Sequence, residues 1–377
     1  MRVLHVHSGN LWGGIEGFLT TLARRAELVP EMRSEFALCF DGRLQRELES
    51  AGATLTELGR VRARSPWSLV RARRELRRLL ADRKYDVVVC HSAWTQAMFG
   101  GMPRVFGVPE VFYLHDRVRD DHWLERWAAR HPPDWAIVNS EYTRHGLVRL
   151  FPRTGVDVVY YPIEAPTGEP SPDERRALRA ELGVYDDTVL IMQACRMQAW
   201  KGHDRLLRAL AHLRAPTIWL CVLIGDAQRP AERAYRAKLE EDARALGVTA
   251  RVRFLGQRDD VPRLLRAADI HCQPNAEPEP FGIAFVEALQ AGLPTVTLDM
   301  GGPREIVTPA VGRLVTNEGE LARALDELVN DAALRRKLGA AGPERARRLC
   351  DPRARLTEIA AVLARVSGAP VAQTGSG

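Results

Sequence analysis

The 377-residue chain lacks several things that would place it quickly. No window approaches the ~20 apolar residues of a membrane-spanning helix, which excludes that class of membrane protein. Its six cysteines (39, 90, 195, 221, 272 and 350) form no Cys-x-x-Cys pair and lie mostly inside apolar runs. That placement suits buried, reduced thiols and excludes a disulfide framework or a cysteine zinc site. Lysine is scarce: only Lys84, Lys201, Lys238 and Lys337 contribute to the 54 basic residues, so the net charge of +6 is carried by arginine. A shortage of this kind speaks of codon usage, not function. No nucleic-acid-binding module accompanies the charge, so nucleic acid is not an expected partner. A G-x-G-x-x-G dinucleotide fingerprint and any repeat of fixed period are missing too. Met1-Arg2-Val3-Leu4 enters a strand pattern directly and leaves no room for a signal peptide, so a cytoplasmic location is expected.

What is present is length and rhythm. A chain this long fits two domains of ordinary size. Short β-branched runs alternate with helical patterns: strands are expected at Arg2–His7, Glu35–Phe40, Thr54–Leu58, Asp86–His91, Val111–His115, Trp135–Asn139 and Val156–Tyr161, and helices at Gly17–Ala26, Arg43–Ser50 and Ser68–Arg83. The alternation predicts an α/β protein with a parallel sheet covered on both faces. It breaks at a linker, Tyr161–Pro170, holding three prolines and a glycine, which ends in a Ser171-Pro172-Asp173-Glu174 capping box. A second series follows at Val189–Cys195, Thr217–Gly225, Arg251–Leu255, Asp269–Gln273, Thr295–Leu298 and Gly312–Val315. The expected organisation is two doubly wound Rossmann-like domains, 1–162 and 163–366, with the last helix able to pack back on the first, and a disordered tail at 367–377.

The chemistry concentrates at strand ends. Glu279 and Glu287 flank a Pro280-Phe281-Gly282 break that leads into a helical pattern of Ile283, Val286 and Leu289. Exposed amides at such a helix start favour an anion, and two carboxylates beside it suit a sugar's hydroxyls. A surface helix with an acidic cap is the plainer alternative. Arg196 ends a strand and Lys201 follows across a loop, two cations suited to a diphosphate. Gly13-Gly14, in the segment Ser8–Gly17, lets backbone amides come close to a phosphate. His115 closes one strand; His5 and His7 share a face of another, but no third ligand accompanies them and no metal is expected. Arg60–Lys84 is the densest basic region, its Leu69, Leu76, Leu79 and Leu80 forming a core-facing stripe. Trp67 keeps an anionic membrane or phosphorylated acceptor in view, though membrane association is not favoured.

Taken together, these segments resemble the retaining GT-B glycosyltransferases with an E-x7-E motif, the glycogen-synthase-like, group 1 class. Ala194-Cys195-Arg196…Lys201-Gly202 resembles that family's G-R-x-x-x-x-K-G element with Cys195 in place of glycine. Leu223-Ile224-Gly225-Asp226, Val252–Gly256 and Gly301–Val307 match further elements. Tyr161-Pro162-Ile163-Glu164 departs from the family's Asn-Gly-Val-Asp. The resemblance implies a GT-B fold and a sugar moved from a UDP or GDP sugar to a small-molecule or glycan acceptor, in a secondary-metabolite or cell-envelope pathway, with no cofactor. Glu287 would hold the ribose, and Glu279 with the Phe281, Gly282 and Ile283 backbone would hold the sugar. Arg196, Lys201 and the Gly13 and Gly14 amides would meet the diphosphate, and His115 would border the reacting carbon. Two rivals stand beside this reading: a nucleotide-sugar 2-epimerase on the same fold and a non-catalytic nucleotide-sugar binder. Trp12, Trp94, Trp123 and Trp127 are as suited to core as to an acceptor surface, and oligomeric state is unspecified.

Overall fold

A computed structural model describes residues 1–9, 12–62, 65–119, 122–166, 168, 171–214, 217–225, 227 and 229–369. The chain divides into two units: Met1–Glu164 with everything from Cys350 onward, and Ala165–Leu349. Each is a parallel sheet between helices.

In unit 1 the strands are β1 (Arg2–His7), β2 (Arg33–Leu38), β3 (Thr54–Glu57), β4 (Val87–His91), β5 (Glu110–Leu114), β6 (Trp135–Val138) and β7 (Gly155–Val158). In unit 2 they are β8 (Val189–Ala194), β9 (Trp219–Ile224), β10 (Val252–Gly256), β11 (Ile270–Cys272), β12 (Thr295–Leu298) and β13 (Gly312–Val315). Among the described residues the orders are 3-2-1-4-5-6-7 and 10-9-8-11-12-13. Every residue of β4, β8 and β9 is buried, because helices cover both faces and leave no polar side to the strand. The order reverses between β1 and β4 and again between β8 and β11. At such points the loops leaving the strands diverge and open a crevice at their carboxyl ends.

Strand bounds lie within two residues of the sequence expectation except at β7, which ends at Val158, three residues before the expected Tyr161; β1, β12 and β13 coincide with it. The first helix starts at Gly14, three residues earlier than periodicity indicates, since glycine and Glu16 carry no apolar signal. The Ser171 capping box forms: Ser171 Oγ accepts from the Glu174 amide at 3.2 Å, and Glu174 Oε2 accepts from the Ser171 amide at 2.7 Å. The unit boundary falls after Glu164, two residues beyond the sequence estimate, and the chain returns to unit 1 at Cys350. There the Ile163 amide donates to the Cys350 carbonyl at 3.0 Å. Helix Pro352–Ser367 buries Leu356, Ile359 and Leu363, and Arg365 pairs with Asp157 of β7. Thr167, Glu169 and Pro170 of the linker, Asn10 and Leu11 of the glycine segment, Asp226, and the tail from Pro370 lie outside the described residues.

The basic helix Pro66–Asp82 packs Ala72, Leu76, Leu79 and Leu80 inward, while Trp67 is 82% exposed. Trp94 and Trp127 pack against the unit 1 core, and the Arg43 guanidinium lies 3.9 Å over the ring of Trp12. The cysteines are free, and all but Cys195 are fully buried. Among the described residues, no helix is long and apolar enough to cross a membrane.

One buried cation ties unit 2 together. Arg179 donates to the carbonyls of Ala267 (3.0 Å), Tyr185 (2.8 Å) and Thr188 and to Asp269 Oδ2 (3.0 Å). Asp269 also accepts from the Leu190 amide at 2.8 Å, so helix Pro172–Glu181, β8 and the entry to β11 share one network. Removing the cation leaves a carboxylate and three carbonyls short of a donor. Arg179→Met is expected to destabilise unit 2 by roughly 3–5 kcal/mol, read as a lower urea midpoint for its transition.

Candidate functional site

The loop Cys195–Gly202 leaves β8 and is held by backbone contacts. Gln193 Nε2 donates to the Lys201 carbonyl at 2.9 Å, and the Ala276 amide donates to the Trp200 carbonyl at 2.7 Å. Gly202 sits at φ +72°, and a Cβ there would lie 1.9 Å from the Pro274 carbonyl oxygen. Gly225, at the end of β9, packs as tightly on Cys195: a Cβ would lie 1.9 Å from its carbonyl oxygen. Only glycine fits at either place. Cys195 itself needs no left-handed backbone, and its sulfur rests 3.5 Å from His203 Nε2, which explains why a side chain is tolerated there.

This loop brings Lys201 to Glu279. Lys201 Nζ donates to Glu279 Oε2 at 2.5 Å and lies 4.0 Å from the Trp200 ring centroid. Asn275 Nδ2 (2.9 Å) and Gln273 Nε2 (3.3 Å) donate to the same oxygen, and no described residue donates to Oε1. The main chain of Glu279 is clamped from the other side. The Gly302 amide donates to its carbonyl at 2.8 Å, and a Cβ on Gly301 would stand 2.5 Å from that oxygen. The sequence reading gave Glu279 and Lys201 separate tasks; the structure makes them an ion pair. It did not foresee Gln273 and Asn275, although two amide side chains just past a buried strand were a usable signal. Arg196 differs from Lys201: its guanidinium has no hydrogen-bond or ion-pair partner among the described residues.

Gly282, at φ +112°, caps helix Ile283–Gln290, whose amino end has no side-chain cap. Phe281 is buried beneath it. Glu287 lies in the second turn. Its accessible surface is small but not nil, and the surrounding protein desolvates it enough to push its pKa up to about 7. No described residue offers it a hydrogen bond or a counter-charge. A desolvated acid without a partner is costly and marks a place where a ligand supplies the donors.

In unit 1, Gly13 caps helix Gly14–Arg24 with extended backbone and no side-chain bond, leaving the first amides open. His7, ending β1, bonds Glu16 Oε1 in that helix's first turn at 2.9 Å. His115 is buried, and both its ring nitrogens are engaged: Nδ1 with the Tyr161 hydroxyl (2.6 Å) and Nε2 with His91 Nδ1 (2.9 Å). His5 bonds His91 rather than pairing with His7. Among the described residues no group of three or more His, Cys, Asp or Glu side chains could hold a metal.

Two compact Rossmann-like units with chemistry at both switch points invite comparison with known proteins. Residues 174–345 match the family described as "Glycosyl transferases group 1", and residues 12–165 match "Glycosyltransferase Family 4". Together the two matches take in most of the chain. Its fold is GT-B: the crystal structure of Anabaena HepE in complex with UDP-glucose superposes with a TM-score of 0.85 at 25% identity, over 97% of this chain and 100% of that one. Among curated relatives, a D-inositol 3-phosphate glycosyltransferase of Mycobacterium sp. is 34% identical over 268 residues, 65% of this chain and 59% of the relative. The lipopolysaccharide core biosynthesis glycosyltransferase LpsE of Rhizobium meliloti is 31% identical over 169 residues, 44% of this chain and 47% of the relative. The chain thus spans about half the length of these curated relatives.

The isolated carboxylate yields a pH-dependent prediction. Its folded pKa, about 7, lies above the 4.5 of an unperturbed glutamate. The native state therefore carries no penalty below about pH 4.5, an increasing one up to pH 7, and its full value above. Glu287→Gln is expected to stabilise the ligand-free protein at pH 8, by at most about 3 kcal/mol, and to change nothing near pH 4.5. Melting curves of both proteins at the two pH values check it.

Proposed function

We propose that the chain is a retaining glycosyltransferase that moves a sugar from a UDP or GDP sugar to a small polar or glycan acceptor, such as an intermediate of the cell envelope or of secondary metabolism. The observation that carries this reading is Glu287, a half-buried carboxylate in the second turn of helix Ile283–Gln290 with no hydrogen-bond or counter-charge partner among the described residues. A ribose presents two adjacent hydroxyl donors and suits that vacancy. Glu279 keeps Oε1 for the hydroxyls of the donor sugar, while Lys201 and the two amides fix Oε2. The open amides at Gly282 and Ile283 add donors beside it.

Arg196 and Lys201 meet the negative charge that grows on the diphosphate as the glycosidic bond lengthens. In unit 1 the reading assigns the Gly13 and Gly14 amides to the same diphosphate and His115 to the neighbourhood of the reacting carbon. The bond from that carbon to the diphosphate oxygen breaks, and the acceptor oxygen bonds the carbon on the same face. The acceptor's proton passes to the departing phosphate oxygen. No enzyme nucleophile, metal or cofactor is called for. HepE, solved with UDP-glucose, and LpsE, named for lipopolysaccharide core biosynthesis, support the donor class and a glycan acceptor.

A thermal-shift panel of UDP, GDP, ADP, TDP and their sugars tests the donor site, with stabilisation by one nucleotide family expected. No shift with any nucleotide, or conversion of the donor alone to an epimeric nucleotide sugar, contradicts the reading. Arg196→Ala is expected to cost about one to two orders of magnitude in transfer with an unchanged melting temperature, because that guanidinium holds no partner in the fold. Lys201→Ala is expected to lower activity and stability together, since it strands Glu279.

A further inference from the structure

Unit 2 holds a cavity of about 720 Å³ at the end of its sheet away from the proposed donor residues. Asp269, which lines it, enters β11, and the chain leaves along that strand toward Gln273, Asn275 and Glu279. Helix Ile283–Gln290 separates the two places. Gly282 and the open amides stand at its start, and Gln290 lines the cavity at its end, roughly 12 Å away.

Four guanidiniums line this cavity: Arg175, Arg266, Arg335 and Arg336. Three are pinned through one terminal nitrogen each. Arg175 Nη2 donates to Asp269 Oδ1 (2.7 Å) and the Ala268 carbonyl (3.1 Å), and Arg266 Nη2 to the Gly168 carbonyl (2.6 Å). Arg335 Nη1 donates to the carbonyls of Leu328 (2.6 Å) and Val329 (2.9 Å). An arginine carries five N–H donors, so most of each fork is left with no described residue to accept from it. Arg336 is exposed and has no hydrogen-bond or ion-pair partner among the described residues.

Opposing charge is scarce. Asp269 is the one described acid in the lining, and its oxygens are already shared by Arg175, Arg179 and the Leu190 amide. Asp331 acts on Arg335 from nearby, and helices Ile283–Gln290 and Glu318–Asn330 end here with about half a negative charge each. Set against the four guanidiniums and the buried Arg179, these leave about two positive charges without an answer. Burial, with Arg336 and Arg175 close by, lowers the Arg335 pKa from its ordinary value, so gathering these cations has a cost that an anion would relieve.

We propose that this cavity is a second ligand site, separate from the donor site, for a phosphorylated small molecule. Phosphate oxygens meet a planar guanidinium two at a time, and donors already pinned by the main chain lose little freedom on binding. The volume exceeds what a phosphate group fills and lies in the range of small-molecule sites. Leu293, Pro294 and Pro343 supply an apolar wall for the carbon body of the ligand.

Calorimetric titration of inorganic pyrophosphate into the full chain at low salt tests the proposal, with Arg196→Ala and the double variant Arg266→Gln/Arg336→Gln titrated alongside. A site is expected that survives Arg196→Ala and weakens at least about tenfold in the double variant. No binding of pyrophosphate, or binding that the double variant leaves as it was, overturns the inference. Loss of all binding in Arg196→Ala overturns it too, because the anion then sits at the loop after β8. Glucose 6-phosphate should bind at the same residues at least as tightly as inorganic phosphate; binding of the inorganic ions alone contradicts an organic occupant. Should the double variant fold poorly, Arg336→Gln alone removes no contact of the described fold and should still weaken pyrophosphate several-fold. The donor reading is decided separately, by the nucleotide panel.

Discussion

Backbone packed directly on backbone at the carboxyl ends of β8, β9, β11 and β12 is the constraint on which unit 2 depends. Gly202 sits against Pro274, Gly225 against Cys195, and Gly301 and Gly302 against Glu279 and Phe281, each with no room for a Cβ. These contacts fix the loops that carry Arg196, Lys201, Glu279 and the start of helix Ile283–Gln290. Because the loops are fixed through main-chain atoms, their charged side chains are left for chemistry. Lys201 and Glu279 neutralise one another at 2.5 Å, while Arg196 and Glu287 have no side-chain partner among the described residues.

The two units use the same topology differently. At the unit 2 switch point the polar groups are charged, and one desolvated acid is left without a described partner. At the unit 1 switch point three buried imidazoles are linked to one another between Ser34 and Tyr161. Leaving a half-buried, desolvated acid without a partner costs stability, which points to a ligand; satisfying the ring nitrogens of a buried file adds rigidity and fixes orientation.

Much of this was legible in the residues. Runs such as Val87–Cys90 and Leu190–Met192 are apolar on both faces, which announces covered parallel strands, and glycines at strand ends announce close approach. Arg196 and Lys201 could be singled out as cations at the end of a strand, and Glu279 and Glu287 as two carboxylates flanking a Pro280-Phe281-Gly282 break before a helix. The ion pair between Lys201 and Glu279 could not be read, since it joins residues on different strands whose neighbourhood depends on sheet order. The histidine file was hidden for the same reason: His5, His91 and His115 are separated by long stretches of chain, and only register brings them to one face. The early start of the first helix escaped because Gly13 and Gly14 carry no periodic signal. The return of Pro352–Ser367 to unit 1 was raised as an option, and Ile163 and Arg365 show what holds it.

The central claim is that Glu287 is kept desolvated and unpaired for the ribose of the donor. Calorimetric titration of UDP or GDP at pH 7, repeated in buffers of different ionisation enthalpy, counts the protons exchanged on binding. Hydroxyl donors favour the carboxylate, so a group half-protonated at its pKa of about 7 should release about half a proton when the nucleotide binds. The release should fade at higher pH and vanish in Glu287→Gln. Binding without proton release, or release that persists in that variant, would contradict the account.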